Sequence, residues 1–339
     1  MKAQVPAVDV KDMSVTFGRK HALVRAVDGV SFDVAPGEIF GIIGESGSGK
    51  STLGRAAVGM VTPSGGSVRH GEVDPFALSR KDLSIHRRKY QIIAQDPNAA
   101  FNPRMTILQS VMEPMYIAGM GTKAERRARA LEMLDTVALS LEMVNRYPHE
   151  LSGGQKQRAN IARALVLDPE VLVCDEVVAA LDVSIQADML NLFWKLQQEF
   201  NLTYLFISHD LNVVSHISDR VAVMYFGKIV EIGPAEAVMN RPLHPYSEAL
   251  RSAEPEISHT SRDRIILQGE IPSALNPPAG CRFHTRCPRA VEMCARQEPE
   301  QRELLPGRSV ACHFAEEMLA RFAPASGAPE LRRESAEYQ

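Results

Sequence analysis

Three short apolar runs in this chain stop abruptly at polar residues. Residues 39–43 (IFGII) run into a glycine-rich stretch, residues 171–174 (VLVC) into Asp175 and Glu176, and the apolar part of LTYLFISHD into His209. Uninterrupted runs of this length predict strands buried on both faces of a parallel sheet. In open sheets of that kind ligands sit beyond the carboxyl ends of the strands, so the residues after each run are the candidates for chemistry. Helical spacing shows elsewhere, with Ala159, Ile161, Ala162 and Leu165 apolar after Ser152. In KAERRARALEMLDTVALSLEMV the apolar positions Ala130, Leu131, Leu134 and Val137 share a face while Arg and Glu point outward. No run approaches the roughly eighteen apolar residues of a membrane-spanning helix. The opening MKAQVPAVDVKDMSV lacks the basic segment and apolar run of a secretory signal. The expectation is a cytosolic α/β protein whose membrane part, if it has one, comes from a partner.

GESGSGKST begins where IFGII ends, and the segment after Lys50 has helical composition. A glycine-rich loop between a strand and a helix is the setting of a P-loop. Gly44, Gly47 and Gly49 open backbone angles closed to other residues, so that successive N–H groups of the loop, with Glu45, Ser46 and Ser48, turn inward toward phosphate oxygens. The helix that carries Ser51 and Thr52 adds the positive end of its dipole. Lys50 supplies charge for the β- and γ-phosphates, and the Ser51 hydroxyl suits Mg²⁺. A plain capping turn is the alternative, but a chance match to the whole pattern in a chain this long is roughly one in a hundred.

Asp175 suits the Mg²⁺ shell, and Glu176 can polarise the water that attacks the γ-phosphorus. Two acids at a strand end are by themselves ordinary, and gain weight only from the P-loop. Ser152 caps a helix whose first residues, Gly153 and Gly154, permit close approach of an anion. His209 is placed to hydrogen-bond a γ-phosphate, although a lone histidine there is more often structural.

Composition adds limits. The 339 residues carry 45% hydrophobic and 23% charged side chains and a net charge of −3, ordinary values for a globular chain with a real core and, by length, two domains. No concentrated positive field exists for a nucleic acid backbone. Four of the five cysteines, Cys281, Cys287, Cys294 and Cys312, lie near the end, in PPAGCRFHTRCPRAVEMC and ACHF. A reducing cytosol disfavours disulfides, so these thiols point to a metal or cluster site. Cys174, inside an apolar run, is a small buried hydrophobe.

In their order, GESGSGKST, QDPNAAFNPRMT, LSGGQKQR, VLVCDE, ALD and FISHD resemble the ATP-binding cassette (ABC) family over about residues 8–258. The resemblance implies a P-loop ABC ATPase fold: a RecA-like core with a parallel sheet, an N-terminal antiparallel β-subdomain and an inserted α-helical subdomain over 97–160. By the same resemblance Gln95 reaches Mg²⁺ and the attacking water. Ser152, Gly153, Gly154 and Gln155 match the signature that contacts ATP bound on the opposite protomer, and Asp182 communicates across that seam. Phe17 is the candidate for stacking on adenine, against the alternative of a core phenylalanine. Catalysis then rests on Glu176, His209 and Gln95. One departure is that Val177, Val178 and Ala179 follow Glu176 where many cassettes have Pro-Thr-Ser; hydrolysis is expected to survive it.

RAVDGVSFDVAPGE, YFGKIVEIGPAEAV and PLHPYSEAL narrow the likeness to the ATPase subunits of oligopeptide and dipeptide permeases, and the missing Pro-Thr resembles the second ATPase type of such pairs. The likeness then covers residues 8–318, with a nucleotide-binding domain over 1–258, a small, irregular, cysteine-rich extension over 259–320 and a disordered tail over 321–339. It implies a homologous ATPase as dimer partner, or a second copy. It also implies two transmembrane permease subunits, an extracytoplasmic binding protein, and residence at the cytoplasmic face of the bacterial inner membrane. Related importers carry nickel, glutathione or sugars, and some cassettes serve translation or DNA repair. The extension implies a [4Fe–4S] cluster on the four cysteines, although C-x5-C-x6-C-x17-C lacks the C-x2-C pairing typical of structural zinc. Zn²⁺ is the alternative, with His284 and His313 as substitute ligands.

Overall fold

The computed structural model describes residues 5–322 except 20–21, 180, 254–264, 268, 270–274 and 276. The stretch AEPEISHTSRDR, expected from the sequence to be the linker between cassette and extension, lies outside the described residues except for Ala253, as does the tail from 323 onward. Eleven strands are described: β1 (Val8–Arg19), β2 (Ala22–Val34), β3 (Ile39–Ile43), β4 (Gly65–Arg69), β5 (Tyr90–Ile93), β6 (Val171–Asp175), β7 (Thr203–Ser208), β8 (Arg220–Tyr225), β9 (Lys228–Pro234), β10 (Arg302–Leu305) and β11 (Arg308–Val310). They form an antiparallel sheet in the order β2-β1-β4 and a mixed sheet in the order β10-β11-β9-β8-β3-β7-β6-β5.

The apolar runs form the middle of the mixed sheet because every residue of β3, β6 and β7 is buried. Strand alternation divides their side chains between two cores. Ile39 and Ile43, Leu172 and Cys174, and Tyr204 and Phe206 face one core with the helices Gly153–Leu165 and Val183–Phe200. Phe40 and Ile42, Val171 and Val173, and Leu205 and Ile207 face the other, with the helix Lys50–Ala57 and the antiparallel sheet. An added Cβ at Gly54 would stand 2.7 Å from Ile207 Cδ1, so only glycine lets this helix lie so close to the strands. Parallel registers align Ile43 with Ser208 and Asp175 with Ile207, which levels the carboxyl ends of β3, β7 and β6.

The helices Ile107–Ile117, Lys123–Thr136 and Gly153–Leu165 each open on a reciprocal capping box, Thr106 with Gln109, Thr122 with Glu125 and Ser152 with Gln155. In the second of them Ala130, Met133 and Leu134 are buried and Leu131 only partly, a correction to the expected face. A 3.6-residue turn carries the stripe through 130, 133/134 and 137 and leaves 131 at its margin.

After residue 277 the chain builds defined elements rather than a wholly irregular appendage. Strands β10 and β11 form a hairpin, and β11 pairs with β9 through Ser309–Ile232 and Val310–Glu231, extending the mixed sheet. Under this join Arg308 Nη2 donates to Glu231 Oε1 at 2.7 Å, while the backbone N–H groups of Leu243 and His244 donate to the same carboxylate. Both charged side chains are buried.

Candidate functional site

The loop after β3 passes under two backbone segments. An added Cβ would lie 2.1 Å from Met224 O at Gly44 and 2.1 Å from Ala26 O at Gly49, where φ is 105°. Both approaches exclude any side chain, whereas an added Cβ at Gly47 would meet no atom within 4 Å. Lys50, buried at the base, donates to Gly44 O at 2.7 Å and Glu45 O at 2.9 Å. Burial pushes its ammonium pKa down, opposed by the carboxylates of Glu176, Asp175 and Glu45. Ser51 Oγ donates to Asp175 Oδ1 at 2.7 Å, and Asp175 is buried at the end of β6.

Glu176 sits in a left-handed backbone conformation with φ 51°. Gln95, shortly after β5, donates through Nε2 to Glu176 Oε2 at 2.8 Å. His209, after β7, brings Nδ1 within 3.4 Å of the same oxygen. Val177 and Val178, in place of Pro-Thr, are buried in the helix-side core.

The resulting cleft has a volume of about 270 Å³. Ser46, Gly47, Gly49, Lys50, Ser51, Thr52, Gln95 and Glu176 line it. Gly44, Glu45 and Ser48 complete the loop, while Asp175 and His209 stand behind Ser51 and Glu176 respectively. Phe17 is 47% exposed on β1 and so is not a core residue; it pairs in register with Val24, which lines the cleft. Ser152 and Gly153 are exposed at their helix start and Asp182 at the next, and none of them lines this cleft.

Sequence reasoning missed Arg25, Ala26, Phe226 and Gly227, which also line the cleft. The turn that carries Phe226 and Gly227 is tied to the loop by a hydrogen bond from Gly227 N to Ser48 O at 2.9 Å. The Phe-Gly pair between two apolar runs was the available signal for that turn.

Cys281, Cys287, Cys294 and Cys312 are all free thiols and line one cavity of about 10 Å³ together with His284 and His313. Burial raises the Cys281 and Cys312 thiols to about 11. His284 Nδ1 donates to Cys281 O at 2.8 Å and His313 Nε2 to Gln297 O at 3.0 Å. The expected metal centre finds no preformed ligand set: among the described residues no group of three or more His, Cys, Asp or Glu side chains is arranged to hold a metal ion. The cavity has room for about one water-sized atom. As arranged, burial holds the Cys281, Cys287 and Cys312 thiols toward their protonated form, and a bound cluster needs a wider space than this cavity.

A strand, a glycine loop and a helix N-terminus facing carboxylates at the ends of neighbouring strands define a P-loop nucleotide-binding protein. The family model for ABC transporter matches residues 27–179, and that for the oligopeptide/dipeptide transporter C-terminal region matches residues 230–294. The oligopeptide transport ATP-binding protein AppF of Bacillus subtilis is 50% identical over 302 residues, 88% of this chain and 92% of that protein. The di/tripeptide transport ATP-binding protein DppF of Pseudomonas aeruginosa is 47% identical over 300 residues, 88% of this chain and 93% of that protein. Among solved structures, the dimeric ATP-binding cassette MJ0796 bound to ADP and phosphate superposes with a TM-score of 0.62 at 30% identity, covering 67% of this chain and 98% of that one. The chain belongs to the ABC transporter family of ATP-binding proteins, and it is an ATPase.

Proposed function

We propose that the chain powers a membrane importer of di- or oligopeptides by hydrolysing ATP in the cleft around Lys50. The observation that carries this reading is the joint presence of that cleft and the oligopeptide/dipeptide transporter C-terminal region, in a chain 47–50% identical to proteins named for peptide transport. Those names favour peptides over nickel, glutathione or sugars, and over work on ribosomes or DNA.

The nucleotide's phosphates lie over the loop from Gly44 to Ser51, with Lys50 exchanging its carbonyl partners for the β- and γ-oxygens. Ser51, Asp175 and Gln95 are the residues to hold Mg²⁺, which supplies charge neutralisation for the phosphates when bound. Glu176 acts as the general base. Among the described residues its contacts with Gln95 and His209 both fall on Oε2, and Oε1 is the oxygen to take the proton of the attacking water. Gln95 and His209 fix the direction of that carboxylate. Val24 and Phe226 offer apolar surface beside the cleft, with Phe17, opposite Val24 on the neighbouring strand, as the adenine-stacking ring.

Ser152 to Gln155, at the start of a helix that begins away from the cleft with Ser152 and Gly153 exposed, and Asp182 act on the nucleotide of a second, homologous ATPase or a second copy. The domain division is a nucleotide-binding domain over 1–258, including the helical subdomain over 97–160, and an extension over 259–320. None of the helices among the described residues is long and apolar enough to cross a membrane. Two permease subunits then supply the membrane part, an extracytoplasmic protein delivers the substrate, and this chain sits at the cytoplasmic face as the second ATPase type. Reconstituted with such permeases and a partner ATPase in proteoliposomes, the chain is expected to drive ATP-dependent uptake of labelled di- or oligopeptide. Stimulation by nickel, glutathione or a sugar with no response to peptides overturns this reading.

A metal centre held by Cys281, Cys287, Cys294 and Cys312 is a separate proposal, supported by the convergence of four free thiols on one cavity. Binding there requires the cavity walls to part and the thiols to lose their protons. Anaerobically purified protein is expected to contain iron and sulfide near four equivalents each. One equivalent of zinc instead, or no metal, removes the cluster.

A further inference from the structure

Glu45, which follows the first glycine of the P-loop, is held at three atoms. Its carbonyl accepts from Lys50 Nζ at 2.9 Å. Its backbone N–H donates to Tyr246 Oη at 2.8 Å, and its carboxylate accepts from Arg286 Nη1 at 2.7 Å. The first anchor belongs to the loop itself. The other two come from PLHPYSEAL and CRFHTRCP, stretches with no part in the chemistry of ATP.

Both outside anchors are rigidly set. Tyr246 is fully buried, and its ring lies 4.7 Å from that of Tyr225 and 5.3 Å from that of Phe283. Arg286 is only 9% exposed, and its backbone N–H donates to Phe283 O, which fixes the turn that aims it. On the other side of Phe283, Arg282 pairs with Asp28, whose backbone N–H donates to Gly227 O in the turn above the loop. A guanidinium and a carboxylate withdrawn from bulk water interact more strongly than an exposed pair.

Lys50 cannot hold Glu45 and a nucleotide with the same hydrogens. When its ammonium turns to phosphate, a loop anchored only by Lys50 loses its brace at the moment of binding. We propose that Arg286 and Tyr246 are positioning residues of the ATP site, keeping Glu45 and the start of the P-loop in nucleotide-ready shape once Lys50 has left it. The extension is thereby part of the nucleotide site. This rests on the assignment of the cleft around Lys50 as that site.

The test uses the full chain, with equilibrium binding of a fluorescent ATP analogue in Mg²⁺ and steady-state ATPase kinetics. Arg286→Gln and Glu45→Gln are each expected to raise the nucleotide Kd and KM about tenfold, the worth of one charge-assisted hydrogen bond. The kcat should stay within about twofold, since the groups around Glu176 are untouched. The double variant should be no worse than either single one, because both remove one ion pair. Arg286→Lys, which keeps the charge, recovers part of the affinity. A folded Arg286→Gln protein with wild-type Kd, or losses that add in the double variant, overturns the proposal and leaves Arg286 a docking residue. If Arg286→Gln does not fold, Tyr246→Phe decides, since it removes one acceptor from a buried ring: a Kd raised about threefold supports the proposal, and an unchanged one overturns it. Lys50→Ala separates the two readings. Wild-type affinity in that variant sinks the site assignment and this proposal together, whereas lost binding beside intact Arg286→Gln and Tyr246→Phe binding sinks the proposal alone.

Discussion

Glu176→Gln is expected to lower ATP turnover of the assembled protein by about 10²–10⁴-fold while Mg·ATP binding persists, the range for removal of a positioned general base. The substitution keeps the size of the side chain and an acceptor oxygen but removes the charge that takes a proton. Gln95 and His209 both reach Oε2, so the amide can still accept at that position and the site should keep its shape. The discriminating measurement pairs steady-state phosphate release with equilibrium nucleotide binding. Turnover within about threefold of wild type removes Glu176 as the base, and a matching loss of binding means that the substitution acted on the fold. The buried valines that follow Glu176 in place of Pro-Thr give no reason for a slower reaction, because they pack into the core and do not line the cleft.

Arg308→Ala should cost about 3–5 kcal/mol of stability, the usual consequence of stranding one member of a buried ion pair. Glu231 is fully enclosed and receives Arg308 together with two backbone N–H groups. Burial already raises its carboxyl pKa above the ordinary 4.5, with Arg308 the leading opposing influence, so the variant raises it further. A raised folded-state value means that stability is retained below the unfolded-state value of 4.5 and lost as pH rises through the folded one. The defect should therefore be widest near neutral pH and narrow toward acid. Urea unfolding midpoints of wild type and variant at pH 7 and pH 4.5 measure it. A uniform gap at both pH values shows that the loss comes from packing of the arginine stem. Replacing Glu231 and Arg308 together by Leu and Met should recover only part of the stability: no charge is then left without a partner, but the buried N–H groups of Leu243 and His244 lose their acceptor.

The elements that were legible in the chain are those whose information is contiguous. IFGII, VLVC and the run before His209 announce buried strands because no polar residue interrupts them. The P-loop announces itself because its conformation needs glycine at the points where another backbone passes within reach of a Cβ. The extension was read less well. Its hairpin is short and polar, with burial confined to Arg308 and Val310 in β11, and it is a strand pair only because β9 offers an edge to join. The cysteine spacing suggested a ligand set, but spacing along a chain does not state how far apart the sulfurs stand or whether they are ionised.

By itself, then, the sequence determined the buried strands β3, β6 and β7, the phosphate loop and the order of the motifs, since each is encoded in neighbouring residues. Tertiary structure alone decided that Gln95, Glu176 and His209 meet, that Ser51 finds Asp175 across 124 positions, and that Arg286 reaches Glu45 across 241. Those meetings follow from the strand order β3-β7-β6-β5 and its level carboxyl ends, and from an extension folded back over the loop. They are properties of how strands pair and pack across the whole sheet, which local residue patterns do not carry.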